Sequence, residues 1–150
     1  MPVLGFIDQP ITRERFCVGR GGIGWFKGEY GRFGTRPNLR LAEAELSSTA
    51  PEMLPPAQMA RFTKLQAATK RIYWGGDAYG YGLLALGQVD VVAEYGLKPW
   101  DWAALAPVVE AAGGVVTDWQ GRPLKLGLTE GDVLATANPD LHRAALAALA

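Results

Sequence analysis

Residues 71–114, RIYWGGDAYGYGLLALGQVDVVAEYGLKPWDWAALAPVVEAAGG, decide how this 150-residue chain is read. The stretch reads as helix, strand, loop, helix. Residues 76–86 are rich in small side chains, which predicts a helix packed closely against a sheet. Residues 89–94, VDVVAE, have the mostly apolar body of a buried strand. Gly96 and Pro99 bend the chain, and residues 101–112 predict another helix. Within it Pro107 removes one intrahelical hydrogen bond and should kink the helix or shift its start. Gly113-Gly114 then ends it. Three carboxylates, Asp77, Glu94 and Asp101, fall at the junctions of these elements. Acids at element ends, rather than along a solvated face, point to a site.

Downstream, VVTDW reads as a strand, QGRP as a turn and residues 132–137 as a final buried strand. Asn138-Pro139 caps a closing helix with Leu141, Ala145 and Leu149 on one face. His142, on that helix, is expected at the surface, because no acid, serine or cysteine stands at a spacing that would recruit it. Upstream, Met59, Phe62, Leu65 and Ala68 recur at three-residue steps and predict a helix over 57–70. Ser47-Ser48-Thr49 leads into proline-punctuated turns.

Residues 1–46 look β-rich. Val3 to Ile7 and Arg15 to Val18 are short strands, and Trp25-Phe26 begins another. A last strand runs through Leu41 and Leu46. The GRGGIG segment lacks the strand-GxxxxGK[ST]-helix context of a phosphate loop, so a hairpin turn is expected there. Arg32, Arg36 and Arg40 suit a solvated loop, although they could also meet a phosphate. Strands first and then alternating helices and strands predict a mixed α/β layered fold in a single domain, with 1–46 a β-rich part and 47–150 the α/β part. A strand beginning at Val3 is expected to leave an unpaired sheet edge.

Bulk properties exclude several classes. Fifteen basic and fifteen acidic residues give zero formal net charge, so no electrostatic footprint suggests nucleic acid or an anionic membrane. No apolar run approaches a membrane span, and the start lacks the basic region of a signal peptide. Cys17 is the only cysteine, which excludes an intrachain disulfide and suits a reducing compartment. The expected setting is the cytoplasm.

A serine hydrolase would need a partner histidine and a GxSxG elbow, and zinc would need a His/Cys cluster. Carboxylate chemistry remains. Magnesium takes oxygen ligands, usually one or two carboxylates with water and substrate phosphate. Asp101, after the rigid Lys98-Pro99-Trp100 turn, is the best candidate, and a plain helix cap is its equal alternative.

The run Pro99-Trp100-Asp101-Trp102-Ala103-Ala104, followed by Val108-Val109-Glu110-Ala111-Ala112-Gly113-Gly114, resembles the carboxy-terminal signature of the inositol monophosphatase family. The resemblance implies a magnesium-dependent phosphomonoesterase, with Asp101 as a metal ligand and Glu94 in contact with the substrate. Trp74-Gly75-Gly76-Asp77, Gly96-Leu97-Lys98-Pro99, Leu105-x-Pro107 and Thr117-Asp118-Trp119-x-Gly121 are more similar to the histidinol-phosphate phosphatases of this family, and so is Ser48-Thr49-x-Pro51-x-Met53. Histidinol phosphate carries an ammonium and an imidazole. A carboxylate at Asp77 beside Glu94 would favour it over a neutral polyol, a charge-assisted hydrogen bond being worth about 1.5–3 kcal/mol. Capping of the 76–86 helix is the alternative for Asp77. Inositol and sugar monophosphates remain alternative substrates.

The family's G-E-E and D-P-(I/L)-D-G-T segments, which carry its other metal ligands, have no counterpart here. The resemblance covers the later half of the family pattern. It implies little phosphatase activity for this chain alone, and dimers are common in the complete family. The alternative is a non-catalytic homologue that binds or pairs through the open edge near Val3.

Overall fold

A computed structural model describes residues 2–37, 40–127 and 131–150 of the chain. The first strands, β1 (Gly5–Gln9), β2 (Glu14–Val18) and β3 (Gly24–Lys27), form an antiparallel sheet in that order. Phe16 lies opposite both Ile7 and Phe26. Strand alternation buries Ile7, Phe16 and Val18 and leaves Phe6 and Trp25 exposed. The glycine-rich segment is a hairpin turn, as expected. The Gly19 N–H donates to the Ile23 carbonyl at 3.0 Å, and Gly21 and Gly22 adopt φ of 93° and 75°.

The second sheet contains β4 (Glu45–Ser48), β5 (Arg71–Trp74), β6 (Val91–Leu97), β7 (Val115–Thr117) and β8 (Gly131–Thr136), in the order β5-β4-β6-β8-β7. β4 runs parallel to β5 and β6, whereas β8 is antiparallel to β6 and β7. Helices α1 (Pro56–Ala68) and α5 (Pro139–Leu149) cover one face. There Phe62, Leu65, Leu141 and Leu149 pack with Leu46, Val91, Ala93 and Leu134. Helices α2 (Asp77–Ala85) and α4 (Leu105–Ala111) lie between the two sheets. Leu84, Val108 and Val109 there join Val92, Val133 and Ala135 to Ile7, Phe16 and Val18. The result is the mixed, layered α/β arrangement anticipated from the sequence, with its core in two sheets of side chains on either face of the larger sheet. The small residues of α2 allow this approach: a Cβ at Gly82 would stand 2.9 Å from the Phe16 ring.

Several boundaries differ from expectation. β1 begins at Gly5, and Val3 and Leu4 are exposed. The strand expected through Leu41 and Leu46 is a 3-10 turn, Leu41–Glu43, followed by β4, which takes in Ser47 and Ser48. β5 was not anticipated. It is an edge strand with most of its residues exposed, so no apolar run marks it. The helix expected over 101–112 is broken into α3 (Pro99–Trp102) and α4. Pro107 has no N–H to offer the carbonyl of Ala103, four residues back, and the break falls at Ala103-Ala104.

His142 is corrected outright. It is 5% exposed, with Nε2 2.8 Å from the Thr117 hydroxyl and Nδ1 2.9 Å from the Thr136 hydroxyl. Burial pushes its pKa down to about 4. Its partners are threonines on β7 and β8, rather than an acid, serine or cysteine. No helix among the described residues is long and apolar enough to cross a membrane.

Candidate active site

The order β5-β4-β6 fixes where a cleft opens. From β4 the chain crosses to β5 through α1 on one face, then returns past β4 to β6 through α2 on the other. Connections leaving in opposite directions part at the carboxyl ends of β4 and β6, the general location of ligand crevices in such sheets. Thr49, just after β4, and Glu94, on β6, meet there.

Glu94 is 4% exposed. The Thr49 hydroxyl donates to one of its oxygens, and the Tyr81 hydroxyl, from α2, donates to the other at 2.8 Å. Burial pushes the Glu94 pKa up, and nearby Asp77 acts in the same direction, while the two hydroxyls oppose the rise. Tyr81 is held well above the ordinary tyrosine range by burial first, then by the charges of Glu94 and Asp101. It therefore keeps its proton and acts as a fixed donor to Glu94.

Asp77 is the first residue of α2 and adopts φ of 42°, the left-handed region that a non-glycine residue enters at a cost. The preceding glycines bring it there. The Gly75 N–H donates to the Ser48 and Thr49 carbonyls at 3.1 and 2.9 Å, and a Cβ on Gly76 would stand 2.8 Å from the Ser47 hydroxyl. The start of α2 is thereby pressed against the end of β4. No side-chain cap closes α2.

Asp101 is the third residue of α3, and its Oδ2 accepts the Lys98 N–H at 2.8 Å. It braces the start of α3 from within the first turn, with Lys98 as the N-cap, rather than capping a helix that begins at Asp101. Its other oxygen receives no hydrogen bond from the described residues.

Asp77, Glu94 and Asp101 line one cleft of about 480 Å³, with Phe6, Met53 and Trp100 on its walls. None of the three carboxylates is in an ion pair among the described residues. The sequence reading placed Thr49 within a motif without a role, and missed Tyr81. A tyrosine in an apolar helix carries no signal until its partner across the fold is known.

Among the described residues no three acids, histidines or cysteines come together as a metal set. One free carboxylate oxygen beside a cleft does suit magnesium, which is often held by one or two carboxylates with water and substrate phosphate.

The sequence model of the inositol monophosphatase family matches residues 1–150. The chain is 38% identical to the bifunctional phosphatase IMPL2, chloroplastic, of Arabidopsis thaliana, over 99% of this chain and 44% of that protein. It is 42% identical to a histidinol-phosphatase of Streptomyces coelicolor, over 94% of this chain and 53% of the relative. An inositol monophosphatase structure from Zymomonas mobilis superposes with a TM-score of 0.91 at 41% identity, over 99% of this chain and 57% of the other. The chain thus spans about half the length of the proteins it matches. The match along its whole length, together with the layered fold, shows that this chain belongs to the inositol monophosphatase family.

Proposed function

We propose that this chain forms the substrate-selecting side of a magnesium-dependent phosphomonoesterase whose substrate is histidinol phosphate. The observation that carries the reading is Asp77: a second carboxylate, held at positive φ beside the buried Glu94 and without a cation of its own among the described residues. A cleft with this charge favours a leaving group that bears an ammonium and disfavours a neutral polyol. Asp101 would give one oxygen to a magnesium ion, which supplies phosphate neutralisation and an activated water. Thr49 and Tyr81 orient Glu94 toward the substrate. The kinship with the Streptomyces coelicolor histidinol-phosphatase supports this substrate.

The likeness to the Zymomonas mobilis inositol monophosphatase favours inositol monophosphate as a second reading. An NMR titration separates the two. Histidinol should shift the Asp77 and Glu94 amides saturably, and Asp77→Asn should weaken it by about tenfold, the equivalent of one charge-assisted hydrogen bond. Equal affinity for myo-inositol and histidinol would refute the histidinol assignment.

The partner reading rests on β1, an edge strand beside exposed Val3, Leu4 and Phe6. A second polypeptide, including another copy of this chain, would pair at this edge. Light scattering that shows only monomers at high concentration counts against self-pairing.

A further inference from the structure

A second cleft, of about 320 Å³, backs onto the first across the end of β6. Residues 94–102 divide between the two. Glu94, Trp100 and Asp101 line the carboxylate cleft, while Tyr95, Pro99 and Trp102 line this one, and Leu97 borders both. The register shift between Glu94 and Leu97 lets the strand end divide in this way.

Arg61 and Asp132, of opposite sign, face the second cleft without ionic partners among the described residues, and the exposed Lys125 stands at its rim likewise unpaired. Arg61, from α1, is fixed by donating through Nε to the Leu149 carbonyl at 2.7 Å and through a terminal nitrogen to the Trp119 carbonyl at 3.2 Å. Its guanidinium also stands 5.4 Å from the Trp119 ring centroid. Carbonyls anchor this group without neutralising it. Asp132, on β8, accepts the Trp119 N–H at 3.1 Å and, among the described residues, otherwise only a 3.5 Å contact from the Gln120 amide. The neighbouring Asp118 is already occupied by Arg122 at 2.7 Å, so that pair closes its own turn. Tyr95, Trp102 and Leu124 give the same cleft its apolar wall.

We propose that this cleft binds an α-amino acid with an apolar side chain, its carboxylate on Arg61, its ammonium on Asp132 and its side chain against Tyr95 and Leu124. A simple anion would confront Asp132, and a simple cation would confront Arg61. A small zwitterion satisfies both. The volume lies at the lower end of the range for small-ligand sites, about 300–1,000 Å³.

Trp119 is a built-in reporter, since its N–H meets Asp132 and its ring lies beside Arg61. The whole chain is titrated with L-leucine, L-leucine methyl ester and N-acetyl-L-leucine, following backbone amides and tryptophan indoles by NMR. Leucine should give saturable shifts at Tyr95, Trp102, Trp119 and Asp132. The ester and the acetyl derivative, each lacking one charge, should bind about tenfold more weakly. Asp132→Asn retains an acceptor for the Trp119 N–H, so the fold should hold while leucine affinity falls by the same factor. Affinity for N-acetyl-leucine should not change. The proposal is overturned by leucine shifts centred on Asp77 and Glu94, by equal binding of all three compounds, or by no saturable shift at tens of millimolar leucine.

Discussion

Tyr81 donates a 2.8 Å hydrogen bond to Glu94, from a buried hydroxyl on α2 to a buried carboxylate on β6. This bond joins the helix that carries Asp77 to the strand that leads to Asp101. Removing it with Tyr81→Phe leaves one Glu94 oxygen without its donor. A hydrogen bond to a charged group contributes about 1.5–3 kcal/mol, and the loss should appear in urea unfolding at neutral pH. The Glu94 pKa, already raised by burial, should rise further. Because the folded-state value lies above the unfolded one, the favourable contribution of protonated Glu94 is full below the ordinary carboxylate range. It is lost as pH rises through the folded pKa. Tyr81→Phe should move that loss to higher pH, which a carboxyl-carbon NMR titration of Glu94 would read directly. An unmoved Glu94 titration would show that Tyr81 serves packing alone.

His142 acts in the opposite sense. Its folded pKa of about 4 lies below the ordinary histidine value of 6.5 because burial disfavours the imidazolium. The unfolded chain binds the proton more readily, so stability is full above about pH 6.5 and falls as pH drops toward 4. A displacement of this size corresponds to about 3 kcal/mol. Urea midpoints across this range should fall steeply in the wild type. His142→Gln should flatten the slope while costing stability at neutral pH.

The layers of the fold were legible because they follow from local patterns: small residues on α2, the apolar body of β6 and the capped α5. The three carboxylates could be found because their order and spacing form a signature. What holds them together could not. Thr49 and Glu94 are brought into contact by the crossover past β4, and Tyr81 reaches Glu94 only once α2 has packed between the sheets. β5 went unrecognised because its exposed Arg71–Trp74 run owes its strand conformation to pairing with β4 rather than to burial. His142 was misplaced for a related reason: its threonine partners lie on strands made adjacent only by the sheet.

Asp77 sets function against stability. A left-handed backbone costs an ordinary residue about 1–2 kcal/mol, and glycine avoids most of that cost. Asp77→Gly should therefore raise the thermal midpoint, partly offset by loss of an acid from the first turn of α2. The same substitution should weaken histidinol binding. A variant that gains stability and binds histidinol unchanged would remove Asp77 from the selecting role.

Gly82 tests the packing that places the cleft. A Cβ there would meet two Phe16 ring carbons at 2.9 Å, and Phe16 is fully buried. Gly82→Ala gains helix propensity, about 1 kcal/mol, but forces the helix off the small sheet, and overpacking of this kind costs about 1–3 kcal/mol. The net outcome should be a lower urea midpoint.

Asp101 separates capping from metal binding within one side chain. Its Oδ2 is engaged by the Lys98 N–H, and its second oxygen is free of hydrogen bonds from the described residues. Manganese, as a paramagnetic substitute for magnesium, should broaden the amides of Trp100, Asp101 and Trp102 more than those on the far side of the larger sheet. Binding should be weak, because one carboxylate without a phosphate leaves most of the ion's ligands as water. Inorganic phosphate should strengthen it. Asp101→Asn preserves an acceptor for the Lys98 N–H, so unfolding should change by less than the roughly 1 kcal/mol expected for loss of a cap, while the broadening should largely disappear. If the broadening persists in Asp101→Asn, the ion is held by Asp77 and Glu94, and Asp101 is only a cap.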